Sequence, residues 1–229
     1  MNIRPRVRTL LRRLAQGALS TGALVLVPAL GRVEAMSAPK LWILLAVGTL
    51  AHVLQPAFSP LARGAASDRG TATQILWSVA VTQLLAIVEA LYLRYPESMR
   101  FSAFAVGALV VMVAGLALRT WAVHTLGRYF TWHIHVEPGQ EVITRGPYRL
   151  VRHPGYLGPL MTYLAVPLFL SAWVSFAVAA IALPLAFARR IRHEERALIA
   201  ELGQSYLDYR DRVGGLVPRL RKRERARAE

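Results

Sequence analysis

The sequence predicts an all-α integral membrane protein of about six transmembrane helices, the last two folded back on each other as a helical hairpin. Three observations carry this. The 229 residues are 55 % hydrophobic, with a mean hydropathy of +0.37, too apolar for an ordinary soluble domain. The apolar residues gather into runs close to the ~20 needed to cross a bilayer. Lys and Arg concentrate on alternate loops, as the positive-inside bias requires.

Arg4, Arg6, Arg8, Arg12 and Arg13 precede an apolar run from about Leu14 to Leu30. A secretory leader would need a small-residue cleavage site, and Val33-Glu34-Ala35 is a poor one. With further spans behind it, the run reads as a first transmembrane helix. The next runs are Leu41 to about Phe58, Thr71 to Leu93, and Phe101 to about His124. Pro159–Leu170 and Trp173–Ala188, joined by Ser171-Ala172, are shorter and contain Pro167 and Pro184. They form the expected hairpin, entering and leaving on one side.

With the N-terminus in the cytoplasm, Arg63, Arg69, Arg128, Arg145, Arg149, Arg152 and the basic C-terminus all fall inside. Arg32, Lys40, Arg94 and Arg100 fall outside. The expectation is therefore a multi-pass protein of the cytoplasmic membrane with both termini cytoplasmic. Its formal charge of +15 is weighted to the two ends, which suits anionic lipid headgroups better than a nucleic-acid groove. No nucleic-acid module is recognisable. The absence of cysteine excludes disulfides, thiolate metal sites and a cysteine nucleophile.

Between the fourth run and the hairpin lies Gly146–Gly158, reading GPYRLVRHPGYLG. Pro147 suits a turn and Pro154 pushes His153 out of helical geometry, while Gly155 and Gly158 allow close backbone approach. Shaped, polar backbone survives beside a bilayer only when buried in protein or lining a cavity. The hairpin returns the chain to the face it left, so Arg189–Glu195 is expected beside Tyr148–Tyr156. Arg190 and Glu194, four apart, share a helix face. Read alone, they are an exposed ion-paired pair; beside the loop, they complete a pocket.

GPYRLVRHPGYLG, a hydrophobic hairpin, then EERAL followed by LG..Y..Y..RV and a proline resembles the isoprenylcysteine carboxyl methyltransferase family and its bacterial relatives, phospholipid methyltransferases included. The resemblance runs from about Leu126 to Pro218. It divides the chain into N-terminal transmembrane helices (1–125), a methyltransferase core (126–218) and a basic tail (219–229). It implies a membrane enzyme that uses S-adenosyl-L-methionine in a cytoplasmic pocket, without the soluble GxGxxG domain, which is absent here. Carried over by position, the cofactor-binding residues are His133, Gln140, Glu141, Val142, Ile143, Tyr148, His153, Pro154, Gly155, Tyr156 and Glu194. Arg190 falls where an arginine faces a substrate carboxylate. Family members often carry histidine where this chain has Gln140, and FG where it has Leu202-Gly203.

The chemistry suits these residues. In-line displacement at a sulfonium methyl needs alignment and a water-poor site more than a strong acid. A carboxylate such as Glu194 can bind an ammonium or ribose hydroxyls, and Tyr148 and Tyr156 can face adenine or the cationic sulfur. The acceptor is expected to be a lipophilic small molecule or lipid bearing a carboxylate, amine or thiol. A thiol or amine needs a base, for which His153 is nearest. A sterol-reductase-like enzyme using NADPH, or a non-catalytic transporter or scaffold, are the alternatives.

Of the remaining polar residues in the runs, Glu89 and His52 are expected to be structural or interfacial. Trp132 and Tyr129 are expected to mark the interface belt. His133 and His135 lack a third partner for a metal site.

Overall fold

A computed structural model describes residues 3–56, 68–137 and 139–219. Arg63 and most of the second loop lie outside the described residues, as does the tail beyond Arg219. The α-helices of the described chain are α1 (Ile3–Ala29), α2 (Pro39–Leu54), α3 (Thr71–Val88), α4 (Ala103–Leu126), α5 (Pro154–Phe169), α6 (Trp173–Leu202) and α7 (Gln204–Arg212). Four helices are long and apolar enough to cross a membrane: α1, α3 with its extension, α4 and α6. α2 and α5 are shorter, at 16 residues each. The outward faces carry apolar side chains, among them Leu19, Trp77, Val110, Ile181 and Leu185, each more than half exposed. In water such a surface is an aggregation liability, whereas against acyl chains it costs nothing.

Two of the expected boundaries move. The second run was expected to reach Phe58, and its helix stops at Leu54. The hairpin's first arm was expected from Pro159, yet α5 already begins at Pro154. A proline at the first helical position lacks only an N–H that has no partner there anyway, so it opens the helix instead of delaying it. His153 is the non-helical cap, with φ −122° and ψ 53°.

α4 and α5 make the closest crossing. A Cβ on Gly115 would lie 2.5 Å from the Gly158 carbonyl oxygen, and a Cβ on Gly158 would lie 2.5 Å from that of Gly115. Backbones touch here because neither residue has a side chain, the small-residue packing that membrane helices use. The crossing brings Arg119, one turn beyond Gly115, against the start of α5.

The hairpin tip is held by two buried charges. Lys40, at the start of α2, donates from Nζ to the carbonyls of Ser98 at 2.8 Å and Phe169 at 2.6 Å. Glu89 opens a π-helical turn (Glu89–Leu93) that continues α3. It accepts from the backbone N–H groups of Val174 and Ser175 and from Ser175 Oγ. A cation thus meets the C-terminal end of α5 and an anion caps the N-terminal end of α6, each opposite the sign of the helix end it faces. Packing around the tip is dense, with Leu41, Ile87, Leu91, Met112 and Phe169 all buried.

Candidate active site

At the other end of the hairpin the polar loop is stitched to the C-terminal segment. A 3₁₀ turn (Gly146–Arg149) buries Pro147 and Tyr148. The Tyr148 carbonyl accepts from Tyr209 Oη at 2.8 Å. Backbone N–H groups of Arg152 and His153 donate to the Gly214 and Gly215 carbonyls at 2.7 and 3.1 Å. α7 and the residues after it therefore form a wall behind the loop.

Glu195 ties that loop to α6. Its Oε1 accepts from Arg152 Nε and Nη2 at 3.1 and 2.9 Å and lies 2.9 Å from His153 Nε2. Arg152 Nη1 also donates to the carbonyls of Arg210, at 3.0 Å, and Val213. One helical position earlier, Glu194 accepts from the Tyr156 hydroxyl.

Arg190 is buried at the centre of a second network. Its Nη1 donates to Asp68 Oδ1 and to Thr71 Oγ1, its Nη2 to the Trp132 carbonyl at 2.6 Å, and its Nε to Tyr156 Oη at 3.0 Å. Four of the five guanidinium N–H groups thus have protein acceptors. Asp68 is buried too. Burial pushes its carboxyl up, but the Ala72 N–H, the charge and hydrogen bond of Arg190 and the Thr71 hydroxyl together outweigh it, so the group is held below its ordinary range.

Arg119, half-buried on α4, is differently placed. It donates to the Gly155 carbonyl at 2.6 Å and to Gln55 Oε1 at 3.2 Å, with Phe130 and Trp132 rings 4.9 and 5.3 Å from its guanidinium carbon. Among the described residues no carboxylate lies within ion-pair distance of it.

These networks surround one cavity of about 560 Å³, within the range of ligand pockets. His133, Gln140, Glu141, Val142, Ile143, Tyr148, His153, Gly155, Tyr156, Arg190 and Glu194 all line it. Pro154 does not; it is buried at the start of α5. α2 and α3 add an apolar stretch of wall with Ala51, Ile75, Leu76 and Val79, and α1 adds Ser20. Burial, then the nearby Glu194 carboxylate, push the Tyr148 phenol above its ordinary range, so it stays neutral.

Several lining residues were not singled out from the sequence, or were assigned elsewhere. Trp132, expected in the interface belt, lies in the cavity wall beside Arg119. His52 lines the cavity as well. Arg119 stood in an apolar run, where an ionisable group is by default a functional signal, and that signal was available. Glu195 was available as the second acid of the pair. Asp68 carried no signal in sequence, since its partner is 122 residues away.

A model of the isoprenylcysteine carboxyl methyltransferase family matches residues 107–200. The chain is 31 % identical over 169 residues to a probable protein-S-isoprenylcysteine O-methyltransferase of Oryza sativa, an alignment covering 73 % of this chain and 87 % of that protein. It is 36 % identical over 112 residues to protein-S-isoprenylcysteine O-methyltransferase A of Arabidopsis thaliana, covering 48 % and 57 %. It is 45 % identical over 87 residues to methanethiol S-methyltransferase 2 of Bradyrhizobium diazoefficiens, covering 38 % and 32 %.

Proposed function

The chain belongs to the isoprenylcysteine carboxyl methyltransferase family, and from that premise we propose that it methylates the carboxylate of an isoprenylcysteine-like lipophilic acceptor, with cofactor and acceptor sharing the one cavity. The observation that carries this is the cavity's two-sided wall. Loop, α6 and α7 residues make it polar on one side, and α2 and α3 bring the apolar Ala51, Ile75, Leu76 and Val79 to the other. S-adenosylmethionine, when bound, supplies a methyl group on a cationic sulfur, open to in-line displacement.

The polar wall fits that group. Glu194 offers a carboxylate to a cationic ligand, and Tyr148 and Tyr156 offer ring faces. His133, Gln140, Glu141, Val142, Ile143 and Gly155 complete the cradle, with Pro154 fixing the start of α5 behind it. The buried hydroxyl of Tyr206, also in this wall, has no hydrogen-bond partner among the described residues. His153 is held by Glu195 through Nε2, a positioning contact, and a carboxylate acceptor, which has no proton to lose, calls for no base.

Of the two arginines, Arg119 has the freer guanidinium. Among the described residues it retains three N–H groups without acceptors, whereas Arg190 retains one. In this reading Arg119 holds the acceptor's carboxylate. Arg190 adds a single N–H and fixes Tyr156 and Trp132 around the reacting groups. The functional unit is then the core 126–218 with Arg119 added from α4. Six crossings put both termini and the polar loop on the cytoplasmic side, with anionic headgroups at the basic ends. The similarity to a methanethiol S-methyltransferase supports a second reading, a thiol acceptor.

The test is transfer of radiolabelled methyl from S-adenosylmethionine by the purified protein, offered an S-farnesylcysteine analogue, methanethiol or extracted membrane lipids. Base-labile label on the prenylcysteine is expected. Label on methanethiol alone establishes the second reading, and label on none of them overturns both.

A further inference from the structure

Tyr206 is 3 % exposed, belongs to the cavity wall, and has a hydroxyl without a hydrogen-bond partner among the described residues. Its neighbour on α7 makes the contrast plain. Tyr209, with ring centroids 6.0 Å apart, uses its own hydroxyl to dock α7 on the Tyr148 carbonyl. One tyrosine thus holds the helix in place, and the other, a residue of the cavity wall, has its buried hydroxyl unused. Buried polar groups in native proteins are almost always satisfied, and an exception asks for a ligand or a bound water.

The surroundings say what kind of ligand. Burial, then the charges of Glu195 and Glu194, raise the Tyr206 phenol above its ordinary range, so it is a neutral hydroxyl at physiological pH. A group brought beside those two carboxylates is favoured when it carries N–H or O–H donors and repelled when it is itself an anion. Oε1 of Glu195 is already occupied by Arg152 and His153.

Resting on the cofactor reading above, we propose that Tyr206 is a cofactor-binding residue whose hydroxyl accepts a hydrogen bond from the ammonium or ribose hydroxyl groups of S-adenosylmethionine. α7 is then part of the binding site as well as its support.

The test is isothermal calorimetry of the full-length protein and Tyr206→Phe with S-adenosylmethionine and S-adenosylhomocysteine, together with melting of the ligand-free proteins. Loss of the hydrogen bond predicts affinity for both ligands weaker by roughly three- to ten-fold if the donor is a ribose hydroxyl and by roughly ten- to a hundred-fold if it is the ammonium. Ligand-free Tyr206→Phe should melt at or above the wild-type temperature, because the hydroxyl it lacks had no partner. Tyr209→Phe serves as the structural control and should melt lower, having lost its bond to Tyr148. Unchanged affinity in Tyr206→Phe would overturn the proposal and leave the hydroxyl a packing defect. A lower ligand-free melting temperature in Tyr206→Phe would overturn it too, by showing that the hydroxyl is already satisfied within the protein. Failure of the wild-type protein to bind either ligand would instead refute the cofactor reading on which the proposal rests.

Discussion

Arg119 and Arg190 line the same cavity, and the proposed function gives them different work. Arg119→Lys keeps the charge but loses the planar fork that grips a carboxylate. It should lower kcat/KM for a prenylcysteine acceptor roughly ten- to a hundred-fold, with calorimetric affinity for S-adenosylmethionine unchanged. Arg190→Lys cannot reach Asp68, Thr71, Trp132 and Tyr156 together, so it should lower both the melting temperature and turnover. Equal effects from the two substitutions would refute this division. Arg190 is legible in the sequence through its four-residue spacing from Glu194 and its place in the family motif, whereas Arg119 is a single charge inside an apolar run. The same face argument passed over Glu195. A neighbour in sequence points about 100° away on a helix, and Glu195 meets Arg152 and His153 while Glu194 meets Tyr156.

Between elements, two contacts set the geometry of the site. The α4–α5 crossing has no room for a side chain at Gly158, where a Cβ would stand 2.5 Å from the Gly115 carbonyl oxygen. Gly158→Ala should cost about 1–3 kcal/mol, read as a lower melting temperature. The second contact joins α6 to the turn before α3 through Arg190 and Asp68. Since the Asp68 carboxyl is held below its ordinary range, its stabilisation is complete above the unfolded-state value of about 3.9. It is lost as pH falls through the lower folded-state value. Wild-type melting temperature should therefore drop in acid below about pH 4. Asp68→Asn should be destabilised by about 3–5 kcal/mol at neutral pH and lack that part of the acid dependence. A wild-type and variant that melt alike across the range would contradict the pairing. Apolar runs made most helices legible, because burial in lipid demands length and hydrophobicity from each span on its own. Lys40 and Glu89 were legible as charges but not as caps of the hairpin, since a cap supplied by another helix leaves no local pattern.

For the whole molecule, the proposed topology rests on the charge asymmetry, and the cysteine-free chain makes it easy to test. Single cysteines at Ser205, on α7, and at Glu97, in the loop before α4, lie on exposed positions at opposite ends of the hairpin. In intact cells a membrane-impermeant thiol reagent should label Glu97→Cys and spare Ser205→Cys; the reverse pattern would invert the protein in the membrane. The family membership and the two-sided cavity converge on one claim, that a cytoplasmic cofactor pocket built on Glu194 serves methyl transfer at the membrane. The most direct measurement is calorimetric titration of S-adenosylmethionine into the purified wild-type protein and Glu194→Gln. Saturable binding by the wild type is predicted. Loss of a charge-assisted hydrogen bond of about 1.5–3 kcal/mol should weaken it roughly ten- to a hundred-fold in the variant, with little change in ligand-free stability. Wild-type affinity in Glu194→Gln, or no binding by either protein, would contradict it.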